Sequence, residues 1–107
     1  MFRITVHYNH PDDPEKFLEH YRSTHAVLAA KLPGLRSYGW GAATTFDGSK
    51  PEHFLVAVME WDGRDDCAAA FASPEGQAAQ ADMANFAGAG VDVNFHEVVD
   101  VQPTGRA

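Results

Sequence analysis

The run "HFLVAVMEW" at residues 53–61 decides the fold. Successive side chains of an extended chain alternate between faces. Phe54, Val56 and Val58 therefore share one side, and Leu55, Ala57, Met59 and Trp61 the other. A strand that is apolar on both sides needs cover on both sides. The stretches around it indicate what supplies that cover. "FRITVHY" at 2–8 sets Phe2, Ile4, Val6 and Tyr8 against Arg3, Thr5 and His7, the two-residue period of a strand. "LRSYGWGAAT" at 35–44 reads as another strand, weakened by Gly39 and Gly41, which suggest a bulge or the close approach of another group. "GVDVNFHEVVDV" at 90–101 alternates again and reads as the last strand.

Helical stretches fill the gaps. Asp13 suits an N-cap and Pro14 a first helical position, where its missing donor costs little. That helix is expected to run to about Lys31 and to stop at Pro33–Gly34. "DGRDDCAAAFA" at 62–72 opens a second helix with acidic residues in its first turn, and Ser73–Pro74 restarts it toward Gly88. Strand, helix, strand, strand, helix, strand predicts an α+β, ferredoxin-like βαββαβ sandwich, with a four-stranded antiparallel sheet and helices on one face. The helices leave one side of 53–61 bare. The sheet of a second copy is the expected cover, so the sequence predicts a homodimer. Residues 1–102 form the expected single domain and the polar residues 103–107 a loose tail.

Charge excludes several partners. A formal net charge of −7 and only eight Lys and Arg, scattered along the chain, disfavour nucleic acid and anionic membrane surfaces. No apolar run approaches the roughly 20 residues that span a bilayer. The single cysteine, Cys67, cannot form an internal disulfide, and Met1 leads straight into a strand; both are expected of a cytoplasmic protein without a targeting segment. Neither a phosphate-cradling glycine loop after a strand nor a nucleophile elbow occurs. His7 and His10 straddle a strand end and a loop, His53 and His96 lie on separate strands, and no metal-ligand spacing is present, so no metal site is expected.

The candidate chemistry lies in "HYRSTHAVLAAKLPGL", residues 20–35. At about 100° per residue, Phe17, Tyr21, His25, Leu28 and Leu32 share one helix face, while Glu19, His20 and Arg22 fall outside it. An inward His25 is either a core imidazole tied to a neighbour or a general acid–base group at a cavity wall. Tyr21, four residues earlier, either packs or assists that imidazole. Tyr8 is a candidate pocket hydroxyl, Phe17, Leu28 and Trp40 are candidate walls, and Asn85 and Phe86 are candidate ligand contacts. The alternative for "DMANF" at 82–86 has Asp82 solvated, Asn85 at a helix end and Phe86 in the core. Cys67, beside Asp65 and Asp66, reads as structural.

Tyr8 with its Pro/Asp-rich turn, "FLEHYRSTH" at 17–25, "LAAKLPGL" at 28–35 and "SPEGQAAQADMANF" at 73–86 together resemble the ethyl tert-butyl ether degradation (EthD) family of the dimeric α+β barrel superfamily. The resemblance implies ferredoxin-like protomers that pair sheet to sheet. It also implies a small-molecule cavity between helices and sheet in each, and it makes His25 part of the family motif. Members often carry proline two residues after that histidine. Here Val27 stands instead, which implies a more regular helical turn at His25. Similar barrels include cofactor-free monooxygenases, isomerases, polyketide cyclases, decarboxylases and haem-degrading enzymes, so fold alone selects no reaction. The expectation is a cofactor-independent enzyme acting on a small hydrophobic, oxygenated metabolite, with His25 and Tyr21 catalytic. The alternatives are a non-catalytic binder serving an oxidoreductase system and a filled core with no site.

Overall fold

The computed structural model describes residues 1–105. The last two residues of the expected tail, 106–107, lie outside the described residues. Four strands, β1 (Phe2–Tyr8), β2 (Ser37–Ala42), β3 (Leu55–Trp61) and β4 (Val91–Glu97), form one antiparallel sheet in the order β2-β3-β1-β4. Helix α1 (Pro14–His20) continues through a π-helical turn (Tyr21–His25) into α2 (Ala26–Ala29). Helices α3 (Arg64–Ala72) and α4 (Pro74–Asp82) follow β3, and a 3-10 turn (Met83–Asn85) leads toward β4. This is the ferredoxin-like arrangement, with the helices on one face. None of the described helices is long and apolar enough to cross a membrane.

The alternation within β1 and β3 builds the core. Phe2, Ile4, Val6 and Tyr8 are buried beside Leu55, Ala57, Met59 and Trp61, because the register sets Phe2 opposite Trp61 and Tyr8 opposite Leu55. Phe17, Tyr21, Ala29, Cys67 and Ala70 from the helices, and Leu32 from the turn after α2, close over them. Burying each large apolar side chain contributes about 1.5–3 kcal/mol. Trp61 is fully enclosed, and its indole N–H donates to the Pro33 carbonyl at 2.9 Å, so the ring brings no unpaired polar atom inside. Gly34, at φ 72°, turns the chain immediately beyond that contact.

Local signals place the helix starts. Asp13 accepts from the Lys16 N–H at 3.1 Å with Pro14 at the first position, and Ser73 accepts from the Gly76 N–H at 3.1 Å with Pro74 following. Boundaries shrink relative to the sequence reading. β2 is Ser37–Ala42 rather than 35–44, β3 begins at Leu55, and β4 ends at Glu97. Gly39 and Gly41 make no bulge: the pairing from Ser37–Glu60 to Ala42–Leu55 is unbroken, and nothing lies within 4 Å of a Cβ at either glycine.

The other sheet face is less apolar than 53–61 suggests. Val56 and Val58 are only half-buried there, and their cross-strand neighbours are His7 and Thr5. Arg3 reaches Glu60 at 3.0 Å, and Ser37 donates to the same carboxylate at 3.0 Å. The strand's period is as expected, while polar partners from β1 and β2 share its open side.

Candidate active site

The π-helical turn aims the chemistry. Four residues overshoot an α-helical turn by about 40°. A pure α-helix would therefore carry each fourth residue away from the core. Here Phe17, Tyr21, His25 and Ala29 all stay buried, because the wider π turn takes up the drift between Tyr21 and His25. The Ala26 N–H bonds to the Tyr21 carbonyl, five residues back, and the Ser23 hydroxyl donates to the Glu19 carbonyl at 2.6 Å. A hydroxyl on that carbonyl competes with the backbone ladder and helps to open the turn. Two expectations change as a result. His25 does not sit on a regular turn despite Val27, and Ala29 rather than Leu28 takes the inward position, leaving Leu28 half-buried.

His25 is 6% exposed, and its Nδ1 lies 3.0 Å from Asp82 Oδ2. Asp82, the last residue of α4, is also 6% exposed rather than solvated. It accepts from His20 Nε2 at 2.9 Å on Oδ1 and 3.1 Å on Oδ2, and from Asn85 Nδ2 at 3.0 Å. A carboxylate only accepts, so the hydrogen on His25 belongs on Nδ1, which leaves the Nε2 lone pair free. No described residue bonds to that Nε2, and no fully buried side-chain nitrogen or oxygen lacks a partner. His25 contributes to a cavity wall, and its unbonded Nε2 is not fully enclosed.

Burial lowers the His25 pKa, outweighing the upward pull of Asp82. The ring is thus neutral and basic around neutral pH. Burial alone would raise the Asp82 carboxyl, but the hydrogen bonds from Asn85, His20 and His25 together bring it below its ordinary value. A charged carboxylate behind a neutral imidazole, with the far nitrogen open, is the geometry of an oriented general base.

The cavity measures about 730 Å³ and lies between the helices and the β1–β4 side of the sheet. Ile4, Val6, Tyr8, Met59, Met83 and Phe95 make its walls largely apolar, and Arg64 and Gln80 add polar groups. Phe95 is 58% exposed, because no helix covers β4. A second hollow of about 410 Å³ lies on the other side of the Asp82 cluster, with Lys16, Phe17, His20, Asn85 and Phe86 in its lining.

The residues proposed from sequence divide between these places. His25 and Tyr8 line the larger cavity, with the Tyr8 hydroxyl 3.6 Å from the Met83 sulfur. Tyr21 is wholly enclosed, its hydroxyl 2.6 Å from that of Tyr38 and its ring 5.3 Å from the imidazole of His25. Burial pushes all three phenols upward, so they remain protonated. Phe86 packs 4.6 Å from the His25 ring and 5.1 Å from Phe17, and Asn85 holds Asp82. Trp40 stacks edgewise on Tyr21 at 5.0 Å, and neither it nor Leu28 reaches the cavity. Asp82, His20 and Tyr38 are absent from the sequence-based site. The i, i+3, i+7 spacing of Ala79, Asp82 and Phe86 was the available signal that Asp82 faces inward. Among the described residues no group of three His, Cys, Asp or Glu side chains is arranged to hold a metal ion.

The EthD domain model matches residues 9–90, a span that contains both the π turn and Asp82. The chain belongs to the EthD family. Among its relatives is an uncharacterized 11.0 kDa protein from the thcB–thcC intergenic region of Rhodococcus erythropolis. That protein is 41% identical over 103 residues, covering 96% of this chain and 100% of the relative. An EthD family protein of known structure from Bacillus halodurans superposes with a TM-score of 0.86 at 29% identity, over 92% of this chain and 99% of the other. Two more distant structures share the fold. A dimeric ferredoxin-like protein of unknown function from Thermobifida fusca has a TM-score of 0.72 at 20% identity, over 91% and 90% of the chains. SnoaB, a cofactor-independent oxygenase from Streptomyces nogalater, has a TM-score of 0.65 at 16% identity, over 95% of each.

Proposed function

We propose that this EthD protein is a cofactor-independent acid–base enzyme that binds a small hydrophobic, oxygenated metabolite in the cavity beside His25. The observation that carries the reading is the open Nε2 of a buried imidazole whose other nitrogen is held by Asp82. Nε2 takes a proton from an acidic C–H or a phenol of the bound molecule. Asp82 stabilises the imidazolium that forms, and the substrate is left as a carbanion or phenolate. That anion can cyclise, eliminate or decarboxylate; with dioxygen as a second substrate it can be oxygenated. Tyr8 offers a neutral hydroxyl at the wall. Tyr21 and Phe86 pack against the imidazole with Phe17 behind them, Asn85 holds Asp82, and Trp40 and Leu28 support the helix from outside the cavity. SnoaB supports the reading in one respect: the same fold accommodates chemistry without a cofactor.

The working unit is a homodimer in which the open sheet faces meet. The half-exposed Val56 and Val58 and the dimeric relative from Thermobifida fusca support this. A cytoplasmic setting fits the unpaired, buried Cys67.

A ligand screen that reads the rise in melting temperature supplies the substrate class, because a molecule that binds only the folded chain stabilises it. With such a ligand in hand, His25→Asn is expected to abolish turnover, by about a hundredfold or more, while the fold and the dimer persist. Unchanged turnover in that variant refutes the proposal. A second reading is a binder that hands its ligand to a separate enzyme; the Rhodococcus erythropolis relative lies beside other genes, between thcB and thcC. It expects tight binding with no turnover in either protein.

A further inference from the structure

Asp82 is shared. His20 Nε2 and His25 Nδ1 both touch its Oδ2, at 3.1 and 3.0 Å, from opposite sides of the cluster. His25 belongs to the apolar cavity, whereas His20 lines the other, more polar hollow and its side chain is 27% exposed. The ring of His20 stacks on Phe86 at 5.2 Å, and Phe86 in turn lies against His25, so both imidazoles are fixed about one carboxylate.

One carboxylate compensates one imidazolium. With both rings protonated, the cluster of His20, Asp82 and His25 carries a net positive charge that the cavity's apolar walls do not solvate. We propose that His20 is the proton outlet of the site: when His20 carries a proton, capture of another at His25 Nε2 in the cavity displaces it to solvent, because both rings bond to one carboxylate. The inference rests on the reading of His25 as a base. The step balances. The substrate loses a proton and keeps the electron pair, and His25 becomes an imidazolium with Nδ1–H still on Asp82. A His20 that carries a proton then releases its outer one to water and is left neutral, with Nε2–H on the same carboxylate. His20 touches no substrate and acts through Asp82.

Other charged groups around the pair are few. Lys16 stands one turn earlier on the same helix, and Asp12 and Asp13 from the preceding loop line the same hollow as His20. Arg22 stands over Trp40 at 5.4 Å, and Arg64 from α3 lines the cavity on the His25 side. Among these groups only His20 and His25 bond to Asp82.

The test is a pH titration of the histidine side chains of the whole protein by nitrogen-edited NMR. In the wild type the pair is expected to titrate in two separated steps. His20→Gln keeps an amide N–H for Asp82 but cannot carry charge; it is expected to raise the His25 midpoint by about one pH unit. His20→Arg, which makes the charge permanent, is expected to hold that midpoint at or below its wild-type position. Lys16→Gln, a charge removed from the same hollow, is expected to leave it in place. A His25 midpoint that is the same in His20→Gln as in the wild type overturns the proposal, as does an equal shift in Lys16→Gln. Turnover is not read in this titration. Failure of the base reading therefore shows only in the His25→Asn assay, and failure of the coupling only here.

Discussion

The two helical layers that meet at Asp82 are built differently. The first, residues 14–29, carries Phe17, His20, Tyr21 and His25 and widens into a π turn. The second, α3 and α4, is rich in alanine and regular, and Ser73 joins its two helices by capping the second. Small side chains let this layer fold back tightly on itself and hold one carboxylate at a fixed point. Large, functional side chains need a departure from α-geometry to be aimed. A rigid frame on one side and an aimed ring on the other bring His25 onto Asp82, the arrangement on which the proposed base rests.

The largest effect should come from breaking the junction. Asp82→Ala leaves donors from His20, His25 and Asn85 without an acceptor. It is expected to cost about 3 kcal/mol in denaturant unfolding and to abolish any turnover. Damage to the frame alone comes next. A Cβ on Gly76 would collide with the carbonyls of Ala70 and Phe71, which are backbone and cannot swing aside. Gly76→Ala is expected to cost about 2–3 kcal/mol. Removing the cap with Ser73→Ala should cost about 1 kcal/mol, and circular dichroism melts resolve both.

Acid should weaken the junction in a graded way. The folded-state pKa of His25 lies below the ordinary 6.5, and that of Asp82 lies below its ordinary 3.8. In both cases the unfolded chain binds the proton more readily. The stability these groups contribute is therefore present above the unfolded values and is lost as pH falls toward the folded ones. His25 accounts for the loss that begins below 6.5, and Asp82 for the loss at more acid pH. A melting temperature that drops between neutral and mildly acid pH in the wild type, and drops less in His25→Gln, is the expected pattern. The smallest effect belongs to the aimed side. Ser23→Ala frees the Glu19 carbonyl and should change stability by only about 0.5 kcal/mol, yet lower turnover, since the π turn directs His25.

Much of the frame was legible in the sequence. β1 follows from strict alternation at 2–8, and Asp13–Pro14 and Ser73–Pro74 mark helix starts by the chemistry of free N–H groups. The inward direction of His25 follows from its stripe. The rest depends on contacts that periodicity cannot carry. Asp82 lies 57 residues from His25, and an acidic residue near a helix end ordinarily faces water. The π turn depends on a serine hydroxyl competing for one carbonyl, and it moves the stripe from Leu28 to Ala29. It also brings His20, outside that stripe on an α-helical wheel, onto the same carboxylate as His25.

The most direct test is the tautomer of His25, read by long-range proton–nitrogen NMR correlations at about pH 7.5, above the ordinary histidine range. If Asp82 orients a base toward the cavity, the hydrogen is found on Nδ1 and Nε2 is bare. A hydrogen on Nε2, whether on a neutral ring or on an imidazolium, would contradict it.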